Sequence, residues 1–179
     1  MREFMNIIEN ADHCDSGALT EINNIDKFSD ELNATRALIN WDEWVKKSKA
    51  VGNIGPLSLR VYHSKEHGGS LYFLMDGKSP IGKATVVDTP NGYLKVSHIW
   101  FQPAYRGKGY GFAFYVYLLK RGKKVLSDYD QTEYSRRIWE KLAKEFVVRP
   151  VVDGQVGEPT KDVSEYYGNS WDLLLASLT

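Results

Sequence analysis

The feature that most constrains this sequence is a glycine-rich stretch at residues 105–111, which reads YRGKGYG. Before it, residues 94–101 alternate well enough to predict a strand, and after it residues 112–119 are apolar nearly all round, as in a helix buried against a sheet. Alternating glycines leave backbone N–H groups uncovered, and the start of a helix adds its positive dipole end. Arg106 and Lys108 add two positive charges. The sequence therefore predicts a strand, an anion-binding loop and a buried helix.

Strand patterns lead up to this stretch, and they lie at residues 57–62, 71–75, 81–87 and 93–101. Asp76-Gly77 and Asn91-Gly92 fall between the last three of these segments, and such pairs are typical of tight hairpin turns. We therefore expect a four-stranded antiparallel meander over residues 57–101.

An amphipathic helix is predicted further upstream, over residues 29–49. Its apolar residues recur at three- and four-residue spacing, and lysines at positions 46, 47 and 49 suit a helix C-terminus. The pattern stops at the glycines and proline of residues 52–56. A shorter helix is predicted for residues 1–10.

Beyond the buried helix, Gly122 suits a C-cap, and residues 125–127 suit a short strand parallel to residues 93–101. The sheet is therefore expected to be mixed. The remaining elements are a second helix capped by Thr132, a strand at residues 146–151, a turn-rich loop at residues 153–162 and a tail, residues 171–178, for which strand and short helix stay open.

Composition narrows the function classes. A chain of 179 residues suits one domain, and 23 basic against 23 acidic residues give no bulk charge with which to capture nucleic acid. Cys14 is the single cysteine, which excludes an intrachain disulfide and favours a reducing compartment. No apolar run has the length of a signal peptide core or a membrane span. We expect a soluble cytoplasmic protein that does not bind a membrane and whose charge does not favour nucleic acid as a partner. The sequence leaves the oligomeric state unknown.

The motif RGKGYG, preceded by IWFQPAY, resembles the R/Q-x-x-G-x-G/A acetyl-CoA loop of the GNAT superfamily of N-acetyltransferases. A second segment, residues 127–146, resembles the strand and helix that follow in that family, with a small residue at Ser135 and WEKL where the family commonly reads YEKL. The resemblance covers about residues 57–151. It implies one domain over residues 1–179, with a helical region before about residue 50 and an acetyltransferase core.

The resemblance implies an α/β GNAT fold, with a mixed and mainly antiparallel sheet, a splayed parallel strand pair and flanking helices. It also implies acetyl-CoA as co-substrate, with the pantetheine in the gap between the splayed strands, and no metal. The residues implied in binding the coenzyme are Ile99, Trp100 and Phe101 along the strand, Arg106, Gly107, Lys108, Gly109, Tyr110 and Gly111 around the pyrophosphate, and Ser135 facing the coenzyme.

The chemistry implied is attack by a deprotonated amine on the thioester carbonyl, with coenzyme A leaving as thiolate. The family often supplies a helix tyrosine that protonates the thiolate, but Trp139 stands there, and an indole N–H is no acid near neutral pH. A thiol with a pKa of about 8.5 is a tolerable leaving group as the thiolate, so activity without this acid is expected.

The general base is open from the residues alone. Lys95 aligns with a glutamate of some relatives and cannot serve while charged, and Ser97 on the same strand face could at most order a water. His98 falls on the opposite face if the strand has no bulge, beside Leu94, Val96 and Trp100, which suits a core histidine. Asp128, after the short strand, is the favoured candidate to meet an incoming amine, and Tyr129, Asp130 and Tyr134 share its rim as weaker ones.

The function predicted is transfer of an acetyl group to a primary amine on a small molecule, protein or peptide that the sequence does not identify. The alternative is a non-catalytic acyl-CoA-binding or protein-interaction module, since Trp139 and Lys95 are what a lost acid and base would look like. A third possibility, an amine on a nucleobase, would need the basic residues of the second helix, which suit a solvated surface better.

Overall fold

The structure is a computed structural model that describes residues 41–64, 69–128, 131–167 and 173–179. Residues 44–179 form one compact unit. The helices are α1 (Trp41–Lys47), α2 (Tyr110–Leu119) and α3 (Glu133–Glu145). The strands are β1 (Lys49–Ile54), β2 (Leu57–Ser64), β3 (Gly69–Asp76), β4 (Ser79–Asp88), β5 (Leu94–Phe101), β6 (Val125–Leu126), β7 (Val147–Val152), β8 (Gln155–Val156) and β9 (Leu173–Ser177), with 3-10 turns at Pro103–Tyr105 and Ser164–Tyr166.

The predicted meander is confirmed, because β2, β3, β4 and β5 pair in succession and antiparallel. Gly77 and Gly92 take left-handed φ values of 58° and 76° in the two turns, which is why glycine stands at each. The helix predicted for residues 29–49 ends at Lys47, and Lys49 begins β1 instead. The predicted helix end at residue 49 is two residues too late, because residues 49–54 pair with β2 and belong to the sheet. The rest of that helix, the helix at residues 1–10 and Cys14 lie outside the described residues.

All nine strands form one sheet in the order β1-β2-β3-β4-β5-β6-β9-β7-β8. The pair β5 and β6 is parallel, as predicted, and it joins only Leu94 to Val125 and Lys95 to Leu126. Beyond Lys95, none of the described strands pairs with β5 on its β6 side. The sheet therefore has a gap, bounded by the second half of β5 and by the residues after β6.

A β-bulge divides β5 into two parts. Val86 faces Val96 across the β4–β5 pair while Thr85 faces His98, so Ser97 is an extra residue in the ladder. The bulge reverses the alternation, and Ile99 now shares the core face with Val96. The expectation that His98 lies with Leu94, Val96 and Trp100 is corrected: His98 and Trp100 lie on the face of Lys95.

Helices α2 and α3 cover one face of the sheet, and the main core lies beneath them. Phe114, Leu118 and Leu119 of α2 and Trp139 and Leu142 of α3 are buried there. Among the described elements, no helix is long and apolar enough to cross a membrane.

The ends of these helices follow the sequence. Gly122 N–H donates to the Leu119 carbonyl and Lys123 N–H to the Leu118 carbonyl, and with Gly122 at φ 71° this is the Schellman pattern that closes a helix. Thr132 Oγ1 accepts from Ser135 N–H at 3.3 Å, so the predicted N-cap of α3 is confirmed.

The tail left open between strand and helix is the strand β9. It inserts between β6 and β7, antiparallel to both, and all five of its residues are buried. The tail is a strand because it lies in the middle of the sheet, and the periodicity of its sequence does not reveal that position. The predicted loop at residues 153–162 contains the short strand β8, which Asp153 (φ 49°) and Gly154 (φ 76°) join to β7 in a two-residue turn.

Candidate active site

The glycine-rich loop joins the end of β5 to the start of α2. Gly107 and Gly109 adopt φ values of 71° and 81°, in the left-handed region that other residues rarely adopt, and Gly109 is the N-cap of α2. A Cβ at either position would meet no atom within 4 Å. There is open space where a Cβ would point at these two positions, so glycine is required there for conformation rather than for space.

The N–H groups of this loop are available to a ligand. Ala113 N–H donates to the Gly109 carbonyl at 3.0 Å and begins the helical ladder. For residues 107–112, no carbonyl or side chain of the described chain accepts the backbone N–H. The first N–H groups of any helix lack internal partners, and together with the helix dipole they favour an anion. The residues present thus fit the pyrophosphate that the sequence predicts at this point.

Phe101 fixes the position of the loop relative to the sheet. Its ring covers Gly82 of β4, where an added Cβ would lie 2.6 Å from Phe101 Cδ1. The same ring lies 6.2 Å, between centroids, from that of Tyr110, the first residue of α2. On the other side, Gly111 allows close approach to Ile138 of α3, whose Cδ1 would be 3.0 Å from an added Cβ. The start of α2 is therefore packed between β5 and α3.

The two basic side chains of the loop have different environments. Arg106 Nε donates to the Phe101 carbonyl at 2.9 Å, and its guanidinium carbon lies 6.0 Å from the centre of the Trp100 ring. Lys108 Nζ lies 5.2 Å from the centre of the Tyr105 ring. Arg106 therefore holds the end of β5, whereas Lys108 is exposed at the loop.

The gap in the sheet begins where β5 and β6 stop pairing. Ser127, directly after β6, bonds to β9 instead, through its N–H to the Leu174 carbonyl at 2.8 Å and its Oγ from the Leu174 N–H at 2.9 Å. This turns the chain away from β5. Along the opposite side of the gap run Ile99, Trp100 and Phe101, so the structure puts the predicted strand residues on the edge of the gap.

An ion pair spans the point where the gap begins. Lys95 Nζ lies 2.7 Å from Asp128 Oδ1, and the two side chains are 25% and 22% exposed. Lys95 and Leu126 are partners across the two strands, so Asp128, two residues on, shares the face of Lys95. Sequence reasoning singled out both residues but missed their contact, because 33 positions separate them and only the parallel crossover brings them together.

The helix side of this point carries two buried aromatic residues. Trp139 is fully buried, and its ring meets that of Tyr115 edge to face at 5.7 Å. Burial raises the pKa of the Tyr115 phenol above its usual range, and the negative charge of Asp128 raises it further. Tyr115 was missed at the sequence level, where it was one more aromatic residue of an apolar helix. Its polar hydroxyl was the signal that could have found it.

The remaining predicted site residues lie around this centre or outside the description. Ser135 is half-buried in the first turn of α3, one turn before Ile138, and Ser97 is half-buried at the bulge. Tyr134 is 69% exposed, which makes it a weak candidate. Tyr129 and Asp130 lie outside the described residues. Within the described part of the chain, no three His, Cys, Asp or Glu side chains converge on a point where a metal ion could bind.

Comparison with protein families decides the assignment. Residues 32–142 match the model described as the acetyltransferase (GNAT) family. The chain belongs to the GNAT family. The predicted family is therefore confirmed, and so is the predicted fold class, a GNAT fold with a mixed sheet that contains one parallel pair.

Solved structures of acetyltransferases resemble this one only distantly. An acetyltransferase from Bacillus subtilis in complex with CoA is 10% identical over 69% of this chain and 99% of its own, with a TM-score of 0.45. A GNAT family acetyltransferase from Elizabethkingia anophelis with acetyl-CoA bound is 13% identical over 68% of this chain and 96% of its own, with a TM-score of 0.41. An IAA acetyltransferase from Bacillus cereus is 16% identical over 63% of this chain and 79% of its own, with a TM-score of 0.39. Comparison with curated proteins gives no match.

Proposed function

We propose that this GNAT protein transfers the acetyl group of acetyl-CoA to a primary amine on a small molecule, a protein or a peptide. The observation that carries the proposal is the start of α2, where the N–H groups of residues 107–112 have no protein acceptor and lie next to the gap between β5 and β6. CoA and acetyl-CoA are the ligands of two of the acetyltransferase structures named above, which supports acetyl-CoA as the co-substrate.

The binding mode we propose uses the loop, the strand edge and the ion pair in turn. The pyrophosphate binds the N–H groups at the start of α2, with Lys108 adding charge. The pantetheine lies along the edge of β5 from Phe101 back toward the bulge, and its amides pair with backbone groups that no described strand occupies. The thioester then lies near Lys95 and Asp128, where the gap ends.

In the reaction we propose, the amine nitrogen bonds to the thioester carbon, the carbon–sulfur bond breaks, and the electron pair leaves with the sulfur as thiolate. Asp128 accepts the proton that the nitrogen loses, directly or through a water that Ser97 orders. Trp139 supplies no proton to the sulfur, because it is fully buried and its indole N–H is no acid. Lys95 balances the charge of Asp128 and disfavours the approach of the amine in its charged form.

The same ion pair supports a second candidate function, a non-catalytic acyl-CoA-binding module. A carboxylate held by a lysine at 2.7 Å has one oxygen already occupied, and Trp139 replaces the acid common in the family. In this case the coenzyme would bind with no transfer. The single cysteine supports a cytoplasmic location for either function.

A comparison of two glycine variants tests coenzyme binding. Gly109→Glu and Gly122→Glu place the same side chain at left-handed positions with φ 81° and 71° and open space, at the start and just beyond the end of α2. Acetyl-CoA at 100 times its Kd should stabilise wild type and Gly122→Glu by about 2.7 kcal/mol, and Gly109→Glu not at all. No stabilisation of wild type, measured by thermal shift, would contradict both functions.

Free-thiol release from acetyl-CoA then separates the two functions. Wild type is mixed with acetyl-CoA and a panel of small amines, lysine-containing peptides and cell lysate. Thiol release that depends on one of these acceptors supports transfer. Tight coenzyme binding without thiol release on any acceptor supports the non-catalytic module.

A further inference from the structure

A cavity lies at the other end of α2, away from the glycine-rich loop. Its volume is about 310 Å³, which falls in the range of small-ligand pockets, and it opens to solvent. Val61 of β2, Leu94 of β5 and Leu118 of α2 give it an apolar floor. The ring of Tyr72 from β3 adds a flat wall that packs edge to face on Phe114 at 5.3 Å.

The opposite wall is a stacked pair of side chains, Tyr117 and Arg121. The guanidinium carbon of Arg121 lies 3.7 Å from the centre of the Tyr117 ring. Both side chains donate to the carbonyl of Val51, Tyr117 Oη at 3.0 Å and Arg121 Nη2 at 3.1 Å. A guanidinium fixed by stacking and by one hydrogen bond keeps further N–H groups with which to meet a carboxylate.

Gly52 makes this wall possible. A Cβ at residue 52 would lie 3.0 Å from Tyr117 Cε2 and 3.3 Å from Arg121 Nη2. Gly52 also lies at the irregularity of the β1–β2 ladder, next to the Val51 carbonyl that accepts both hydrogen bonds. The strand, the glycine and the two side chains of α2 therefore form one built wall rather than a chance contact of exposed residues.

The polar groups around the cavity favour an anion. Lys123 lines it beside Arg121, and His63, which shares a 2.8 Å hydrogen bond with Ser70, lines the far side. Burial raises the pKa of the Tyr72 phenol, so that hydroxyl stays protonated and can donate. Tyr117 and, to a lesser degree, Asp88 raise the pKa of Tyr72 further, whereas the positive charge of Arg121 lowers it. Positive charge thus predominates on a cavity whose body is apolar.

We propose that this cavity is a binding site for a small organic carboxylate with a flat apolar body, whose carboxylate pairs with Arg121 while its body packs against Tyr72 and Leu118. The cavity lies about 15 Å from the glycine-rich loop, at the other end of the ten-residue helix α2. Leu94 lines it from the core face of β5, whereas Lys95 and its ion pair lie on the opposite face, so the cavity is separate from the proposed acetyl-CoA site. The inference does not depend on the proposed function.

The test uses the full chain, with phenylacetate as the probe and phenylacetamide as its neutral counterpart of the same shape. Titration of wild type, followed by NMR shifts of the Leu118 and Val61 methyl groups, should saturate with phenylacetate. Loss of a charge-assisted hydrogen bond to Arg121 should weaken phenylacetamide, and also phenylacetate on Arg121→Gln, by at least about tenfold.

Lys120→Gln is the matched control, because it removes the same charge from the neighbouring residue, which does not line the cavity. Its affinity for phenylacetate should stay within about threefold of wild type, as expected for screened surface charge. The proposal is overturned if wild type shows no saturable shift, if phenylacetamide binds as well as phenylacetate, or if Lys120→Gln weakens binding as much as Arg121→Gln. The comparison of the two probes needs only wild type, so it holds even if Arg121→Gln fails to fold.

Discussion

The two faces of β5 differ in chemistry although they belong to one strand of eight residues. The face toward α2 and α3 carries apolar residues that pack on the main core, such as Val96 and Ile99. The other face carries Lys95, His98 and Trp100. This difference shows that the apolar face fixes the strand against the core. The opposite face, here called the polar face, carries the charged side chain of Lys95 where the gap begins. The following tests separate the two roles.

The largest expected effect comes from two substitutions, one at the carboxylate beside the gap and one in the main core. Asp128→Asn should lower kcat/KM by about 10² to 10³, because a general base contributes a factor of that size. Trp139→Phe, on the core side, should keep kcat/KM within about tenfold and lower the free energy of unfolding by about 1–3 kcal/mol. Steady-state thiol release and urea unfolding measure the two quantities.

The pH dependence of wild type sharpens this test. Without an acid at the sulfur, the rate should rise with pH toward the pKa of the acceptor amine. A bell-shaped profile with a falling alkaline limb, together with full activity of Asp128→Asn, would show that an acid is at work and that the roles assigned to the two faces are wrong. Tyr115, which contacts Trp139, would then be the first tyrosine to replace.

A second effect concerns Lys83 of β4, the partner of Trp100 on the polar face. Burial lowers the pKa of the Lys83 ammonium to about 8. In the unfolded chain this pKa is about 10.4, so the unfolded state binds more protons between the two values and stability rises with pH through that window. Below pH about 8 both states are charged and the penalty of burying the cation is constant.

Lys83→Met should remove this rise. The free energy of unfolding of wild type, relative to the variant, should increase between pH about 8 and 10.4 by as much as about 3 kcal/mol. The difference between the two proteins cancels the buried tyrosines, such as Tyr115, whose raised pKa makes stability fall at higher pH. Parallel urea curves at all pH values would show that Lys83 is not buried as a cation.

A third, smaller effect distinguishes the two cations of the loop. Replacing Arg106 and Lys108 together by alanine should weaken acetyl-CoA binding by about tenfold and reduce its dependence on salt. Of the single variants, only Arg106→Ala should also lower the free energy of unfolding, because Arg106 donates to the Phe101 carbonyl. Unchanged affinity of the double variant, measured by calorimetry at two salt concentrations, would mean that neither side chain meets a phosphate.

The smallest effect is expected at the bulge. Ser97→Ala should lower turnover by less than about fivefold, because the hydroxyl only orders a water in the proposed reaction. Deletion of Ser97 removes the extra residue and leaves the pairing of residues on either side unchanged, so the fold should persist. Circular dichroism and thiol release of the two variants show whether the bulge matters through its side chain or through the backbone.

The sequence was sufficient for the parts of the fold that depend on local pattern. The hairpins carry glycine at positions of positive φ, Thr132 caps α3, and Gly122 closes α2. It was insufficient where the structure of a segment depends on its pairing partner in the sheet. In β1, a lysine at residue 49 suited a helix C-terminus and a glycine at residue 52 suited a break after it. Only the pairing with β2 makes this segment a strand.

For the candidate site, the sequence predicted the loop conformation but not the contacts between segments. The glycine-rich loop is recognisable from its sequence, and Gly107 and Gly109 have the left-handed conformation expected of such a loop. The bulge at Ser97 depends on the pairing register with β4, which the sequence of β5 alone does not contain. His98 was placed with Leu94, Val96 and Trp100 on the condition that β5 has no bulge, and that condition fails. The contact between Lys95 and Asp128 depends on a crossover of 33 residues, and neither residue type reveals it.

The gap in the sheet has a mechanical consequence. Where two strands separate, a force that pulls them apart acts first on the last paired residues. In this sheet these are the two residue pairs that join β5 to β6. Any movement that widens the gap strains these pairs first. Lys95 and Asp128 bridge the strands at the same point, so their ion pair resists the widening. We therefore expect the width of the gap to depend on the ion pair between Lys95 and Asp128.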